Sequence, residues 1–536
     1  MDTRRLLRIS GPVFAAVALL ISGCSSGTST PDASASSRTA QDGDGPGGET
    51  PANASSETLK PLPTALPATL KPYYGQKLTW RECGVSGFEC ATMKAPLDYA
   101  KAGAGDDVKL AVARKKATGP GKRLGSLMVN PGGPGGSAIG YLQAYAGIGY
   151  PAPVRARYDM VAMDPRGVAR SEPIECLSDK QMDTYTQVDQ TPDDQGEVNG
   201  IVDSFKDFAA GCQKRSGRML GHVSTNEAAR DMDMLRAVLG DEKLTYVGAS
   251  YGTFLGATYA GLYPARAGRL VLDGAMDPSL PSEQLNRDQT GGFETAFTAF
   301  TKDCVRTDGC PLGKKSAKDA AQRMRDFFRK LDAKPVPTGE TRKLGESLAT
   351  TAVISAMYDE ASWPTLREAL QQARDGDGAG LLKLADIYYE REANGSYANL
   401  MFANPAVNCL DLPPSFSGPD AVKKALPSFE KASPTFGAGL AWAALNCSYW
   451  KADPTGKPNR IEAEGAAPIV VVGTTRDPAT PYKWAQSLAA QLDSGTLLTY
   501  EGDGHTAYKR GSDCIDTAIN TYLLEGKAPA NGKKCT

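Results

Sequence analysis

The chain has 536 residues, enough for one large core carrying a substantial insertion, and a formal net charge of −1. Its 60 basic and 61 acidic side chains balance, which argues against a nucleic-acid partner or a basic membrane-surface patch. Eleven cysteines point to an oxidising compartment, and only two histidines, His222 and His505, are available for proton transfer.

In chain order, Arg4, Arg5 and Arg8 form a basic start, and Val13 to Ile21 an apolar run too short to span a bilayer. The run ends in Ile21-Ser22-Gly23-Cys24, which resembles a bacterial lipoprotein signal. Residues 1–23 are therefore expected to be a signal peptide and Cys24 the lipidated first residue of a protein anchored to, or released from, the outer face of the cell membrane. Residues 24–57 are rich in Ser, Thr, Ala, Gly and Pro without apolar periodicity, so they read as a disordered tether reaching about 30 Å.

Ten cysteines remain, and proximity along the chain suggests Cys83–Cys90, Cys176–Cys212, Cys304–Cys310, Cys409–Cys447 and Cys514–Cys535, although spacing alone does not fix connectivity. Without a C-x-x-C pair and with so few histidines, no metal site and no cofactor are expected. No sustained heptads suggest assembly, so a monomer is expected.

Alternating residues from Leu78 to about Ala117 predict antiparallel strands. Buried strands are predicted at Leu124–Asn130, Tyr158–Asp164, Leu244–Val247, Arg269–Asp273, Ala467–Gly473 and Gly495–Tyr500, and a helix at Asn226–Leu239. Between Ser282 and Asn459 the periodicity turns helical, as in Phe293–Cys304, Ser316–Leu331, Leu348–Tyr358, Trp363–Arg374 and Leu381–Glu392. The economical account is an α/β domain with a mostly parallel sheet and helices on both faces. Residues 58–285 and 461–536 form the core, and a helical cap at 286–460 is inserted over the strand ends.

One stretch organises this core. Gly248-Ala249-Ser250-Tyr251-Gly252 fits the G-x-S-x-G pattern of a strand-to-helix elbow, with apolar Leu244, Tyr246 and Val247 before it and a helical run to Ala260 after it. A serine hydroxyl needs a base, and the base an orienting acid. His505 follows the last predicted strand in Tyr500-Glu-Gly-Asp-Gly-His-Thr506 and is the candidate base; His222 has no strand to aim it and reads as structural. Asp477, on the loop after the most apolar strand, is the candidate acid, with Asp273 and Asp277 as rivals and Asp503 too close in sequence to His505. The order Ser250…Asp477…His505 is that of α/β-hydrolases. Acyl transfer also needs two N–H donors for the oxyanion: Tyr251 supplies one, and the loop Pro131–Gly136 the other, at Gly133.

Asn130-Pro-Gly-Gly-Pro-Gly-Gly136, Asp164-Pro-Arg-Gly-Val-Ala-Arg-Ser171, Gly248-Ala-Ser-Tyr-Gly252, Arg476-Asp477-Pro-Ala-Thr-Pro481 and Gly502-Asp-Gly-His505 together resemble the secreted tripeptidyl-aminopeptidase family. These are α/β-hydrolases related to proline iminopeptidase, with a cap and a characteristic C-terminal segment. The resemblance spans about residue 75 to the C-terminus and implies a serine exopeptidase acting on peptides with a free N-terminus, or an esterase using the same triad. The fold could also serve a non-catalytic surface binding protein, against which an intact triad argues. An aminopeptidase must recognise an ammonium group. Asp411, beside Cys409, is the candidate acid, and it reads equally well as a capping carboxylate. Arg166 reads as a structural ion-pair donor, and the Trp363…Leu370 stripe as cap core.

Overall fold

The computed structural model describes residues 54–536; the expected signal peptide, Cys24 and the tether up to residue 53 lie outside the described residues. Ten strands form one sheet in the order β1-β2-β3-β5-β4-β6-β7-β8-β9-β10. They are β1 (Arg81–Glu82), β2 (Glu89–Pro96), β3 (Asp107–Lys115), β4 (Gly125–Asn130), β5 (Tyr158–Met163), β6 (Leu244–Ala249), β7 (Ala267–Asp273), β8 (Ile469–Arg476), β9 (Gly495–Asp503) and β10 (Lys533–Cys535). From β5 to β10 every neighbouring pair is parallel, whereas β1, β2 and β3 add an antiparallel edge. The fold is that of an α/β-hydrolase.

The patterning explains the layers. In β3, Val108, Leu110 and Val112 are buried while Lys109 is exposed, the alternation of a strand with one solvated face. In β8, Ile469 to Val472 are all buried, because helices cover both faces there. One face packs Met232, Leu255, Tyr259 and Leu488 from the helices Thr225–Val238, Tyr251–Leu262 and Tyr482–Gln491. The other packs Ile139, Val154, Ile519 and Leu523, the last two from Asp513–Glu525. The three-residue β10 is too short for a sequence signal; it pairs with β9, and Cys535 within it is bridged to Cys514.

The chain leaves the sheet after β7 and returns at β8, both paired in register from Leu270↔Ile469 to Asp273↔Val472. The intervening helices cluster around Phe297, Phe300, Leu348, Leu366 and Leu370, with Trp363 among them. A second cluster joins Phe429 and Trp442 to Val198, Ile201 and Phe205 of the helix Gln195–Leu220. That long helix lies between β5 and β6 in sequence, so part of the 58–285 stretch packs with the cap helices. Its start is marked by a capping box in which Asp194 receives the Glu197 N–H.

Residues 54–57, tether by composition, run against the core. Ala54 packs on the cluster of Leu280, Leu285 and Trp484, and the Ser55 N–H donates to Ser279 O (2.7 Å). Apolar contact and backbone pairing hold a segment that low hydrophobicity alone predicts to be free.

Candidate active site

Ser250 sits between β6 and the helix Tyr251–Leu262 with φ 55° and ψ −126°, a strained backbone for a residue with a side chain. Three hydrogen bonds hold it there: Ser250 N–H to Asp273 O (2.9 Å), and the Thr253 N–H (2.8 Å) and Oγ1 (2.6 Å) to Ser250 O. The flanking glycines are needed because the turn closes on itself. A Cβ on Gly248 would stand 2.3 Å from Gly252 O, and one on Gly252 would stand 2.8 Å from Asn130 O.

The His505 Nδ1 lies 2.9 and 3.0 Å from the two oxygens of Asp477, which fixes the proton-bearing nitrogen on that side. The Asp477 carboxylate is buried and also accepts the N–H groups of Ala479 (2.9 Å), Thr480 (2.8 Å) and Thr506 (3.2 Å). The structure thus brings Asp477 to the imidazole and not its rivals. Asp273 instead receives the Ala507 and Tyr508 N–H groups and steadies the histidine loop from below; burial pushes its carboxyl up to about 6. Asp277 accepts from Ser279 and Gln491, and Asp503 pairs with Arg476.

Nε2 of His505 is buried and has no hydrogen-bond partner among the described residues, so the Ser250–His505 bond is not made in this state. The two residues border the same turn: Asp273 O accepts from Ser250, and a Cβ on the adjoining Gly274 would stand 3.2 Å from His505 Cε1. Such bonds commonly tighten only when substrate arrives.

The glycine loop after β4 lies against the elbow. A Cβ on Gly132 would meet Ala249 O at 2.5 Å and Tyr251 N at 2.9 Å, so only glycine lets this backbone approach. The Gly132 N–H is taken by Asn130 Oδ1 (2.9 Å), whereas the N–H groups of Gly133 and Tyr251 carry no hydrogen bond among the described residues. From above, Leu400 Cδ1 would meet a Gly133 Cβ at 3.1 Å, and Asn404 Nδ2 donates to Pro134 O (3.1 Å).

Asp411 is buried at the end of the helix Leu400–Asp411. It accepts the Thr225 N–H (2.7 Å) and the Thr225 hydroxyl (2.5 Å) at the first residue of the helix Thr225–Val238, whose N-cap is Ser224. In this structure both Asp411 oxygens are thus engaged by Thr225. Thr225 Oγ1 is in turn 2.5 Å from the Tyr251 hydroxyl, which links the cap to the residue after Ser250. Desolvation raises the Asp411 carboxyl to about 7. His222 lies apart, 3.4 Å from Glu227, and Arg166 is buried in a two-point pair with Asp231 (2.7 and 2.8 Å). The five disulfides join Cys83–Cys90, Cys176–Cys212, Cys304–Cys310, Cys409–Cys447 and Cys514–Cys535.

Two neighbours of the imidazole escaped the sequence reading. Thr480 Oγ1 is 3.4 Å from Nδ1, placed by the turn in which Asp477 accepts its own downstream N–H groups; that Asp-Pro-Ala-Thr turn was legible in principle. Tyr358, far away in sequence, accepts the His505 N–H through its carbonyl (2.9 Å) and sets its ring edge-on to the imidazole at 5.4 Å. No local pattern announces it.

Residues 433–535 match the family model described as TAP-like protein. The chain is 38% identical over 489 residues to the serine protease Hip1 of Mycobacterium tuberculosis, covering 87% of this chain and 92% of that protein. It is 30% identical to a tripeptidyl aminopeptidase of Streptomyces lividans, covering 85% and 86%. The chain belongs to the tripeptidyl-aminopeptidase family of α/β-hydrolases. As a member it is a serine hydrolase, and the family also holds a protein named carboxylesterase B from Mycobacterium tuberculosis, 36% identical over 88% of this chain and 95% of that one.

Proposed function

We propose that this family member is a serine exopeptidase that removes short peptides from free N-termini through an acyl-enzyme on Ser250. The observation that carries the reading is the buried Asp477–His505 pair, whose unpartnered Nε2 borders the same turn as the strained Ser250. Ser250 Oγ attacks the scissile carbonyl as Nε2 takes its proton, and Asp477 stabilises the resulting imidazolium. The free N–H groups of Tyr251 and Gly133 receive the oxyanion. His505 then protonates the leaving amine, and water, deprotonated by the same nitrogen, releases the peptide. Relatives named for protease and tripeptidyl-aminopeptidase activity support peptides as substrates. The described residues hold no helix long and apolar enough to cross a membrane. Attachment through a lipid on Cys24, outside the cytoplasm where five disulfides persist, completes the reading.

A carboxylesterase with the same triad is the second reading, favoured by the 36% identical carboxylesterase B. The two separate on substrates: a free tripeptidyl amide, its N-acetylated form and a short-chain p-nitrophenyl ester. Rapid turnover of the free peptide alone among the two amides is expected. Equal turnover of free and acetylated peptide sinks the aminopeptidase reading, and ester turnover without either amide establishes the esterase.

A further inference from the structure

The histidine loop is strained on both sides of His505. Gly504 has φ 89° and Thr506 φ 69°, the second a left-handed conformation on a β-branched residue. Such a loop persists only where its surroundings over-determine it. From the sheet, Asp477 accepts the Thr506 N–H (3.2 Å), Thr474 Oγ1 donates to Thr506 O (3.0 Å), and Asp273 receives the Ala507 and Tyr508 N–H groups. The backbone N–H of His505 is served by the cap instead. Its one partner among the described residues is Tyr358 O, at 2.9 Å.

Around that bond the cap and the loop fit closely. A Cβ on Gly504 would stand 3.2 Å from Tyr358 O and 2.7 Å from Arg510 Nη2, so glycine is what lets the cap approach. Asp359, next in the chain, pairs with Arg510 of the histidine loop at 3.0 Å. The Tyr358 ring stands 5.4 Å from the imidazole and nearly perpendicular to it. Phe293 at 5.8 Å and Tyr388 at 6.3 Å, ring centre to ring centre, steady that ring against the core of the cap helices.

The Asp477 contacts fix one corner of the imidazole, at Nδ1, and leave the ring free to tilt about it. Near Cε1 the backbone of Gly274 closes in, where a Cβ would stand 3.2 Å away. The Tyr358 ring supplies a further wall, and the buried, unpartnered Nε2 is the atom whose place depends on both.

We propose that Tyr358 is a positioning residue for the reaction: its carbonyl and its ring hold His505 in the orientation from which Nε2 serves Ser250, so the cap completes the base as well as covering it. The assignment rests on the reading of Ser250 and His505 as nucleophile and base, and it holds for peptide and ester substrates alike.

The test uses the full chain with the p-nitrophenyl ester and the free tripeptidyl amide, and circular dichroism to check folding. Tyr358→Leu keeps an apolar side chain but removes the planar wall. Its kcat should fall about ten- to a hundredfold on both substrates with KM within about twofold, the cost of misplacing a reacting group by roughly an ångström. Tyr358→Phe restores the ring and should recover wild-type kcat to within about threefold. Arg510→Gln loosens the joint from the loop side, away from the cap core, and should lower kcat about threefold at constant KM, the worth of a partly exposed ion pair. With only two histidines in the chain, the hydrogen-bonded Nδ1 proton of His505 can be followed by NMR; its downfield signal should be sharp in wild type and Tyr358→Phe and broadened in Tyr358→Leu. Wild-type kcat with a sharp signal in Tyr358→Leu overturns the assignment. So does a loss confined to KM, which places Tyr358 against substrate, or an equal loss in Tyr358→Phe, which assigns the effect to the hydroxyl. Should Tyr358→Leu fail to fold, wild-type kcat in Arg510→Gln overturns it. Full turnover in Ser250→Ala breaks the triad reading itself whatever Tyr358 does, which separates the two failures.

Discussion

The floor and the roof of the cleft are built from different kinds of contact. In the floor, at the ends of β7, β8 and β9, the carboxylates near the imidazole are engaged: Asp273 by two N–H groups, Asp477 by three N–H groups and His505, Asp503 by Arg476. In the roof, Tyr358 of the cap sets its ring edge-on to the histidine, and Tyr388 packs on Tyr358. A saturated floor cannot relax at the moment of reaction, which is what electrostatic catalysis requires. The roof meets the histidine through aromatic side chains brought from distant parts of the chain. That division fits a family whose members are named for protease, aminopeptidase and carboxylesterase activities on shared architecture.

If the division is right, floor substitutions should damage peptide and ester turnover alike. The largest effect is expected from Ser250→Ala, about 10⁶-fold in kcat on every substrate; selective loss on one class would break the comparison. Asp477→Asn removes the acceptor that fixes the imidazole tautomer and should cost about 10⁴-fold in kcat on both, with the folded state retained by circular dichroism. Gly132→Ala forces a Cβ to 2.5 Å from Ala249 O and 2.9 Å from Tyr251 N, so the oxyanion donor shifts; about 10²-fold lower kcat is expected, with little change in KM.

The smallest effect sharpens the boundary between floor and roof. Asp411 ties the cap to Tyr251 through Thr225, so Asp411→Asn should lower kcat by about tenfold for free, acetylated and ester substrates equally. It should also change the pH dependence of stability. The folded carboxyl titrates near 7 against an ordinary 3.8, raised by burial, so the folded protein keeps a proton the unfolded chain loses. That contribution is full below about pH 4 and gone once pH passes about 7. Thermal melts across this range should therefore show a steeper decline with pH for wild type than for Asp411→Asn.

Much of the floor could be read from sequence because its constraints are local. A strand followed by G-x-S-x-G, an acid and a histidine each on the loop after an apolar strand, and a glycine-rich turn encode their geometry in adjacent residues. The sheet itself was legible for the same reason, as in the unbroken apolar run Ile469–Val472. The roof was not. Tyr358 meets His505 from 147 positions away in the chain, and the Gln195–Leu220 helix joins the cap from before β6, contacts set by tertiary packing alone. Asp411 was noticed for its neighbouring cysteine, but its binding to Thr225 depends on a docking that no periodicity reports.

The account rests on Ser250 forming the acyl-enzyme. The direct measurement is rapid acid quench during turnover of the p-nitrophenyl ester, followed by mass spectrometry of the digested protein. The expected result is an acyl adduct confined to the peptide bearing Ser250, formed in a burst stoichiometric with enzyme and absent from His505→Ala. Burst and turnover with the adduct on another residue, or persisting in Ser250→Ala, would contradict it.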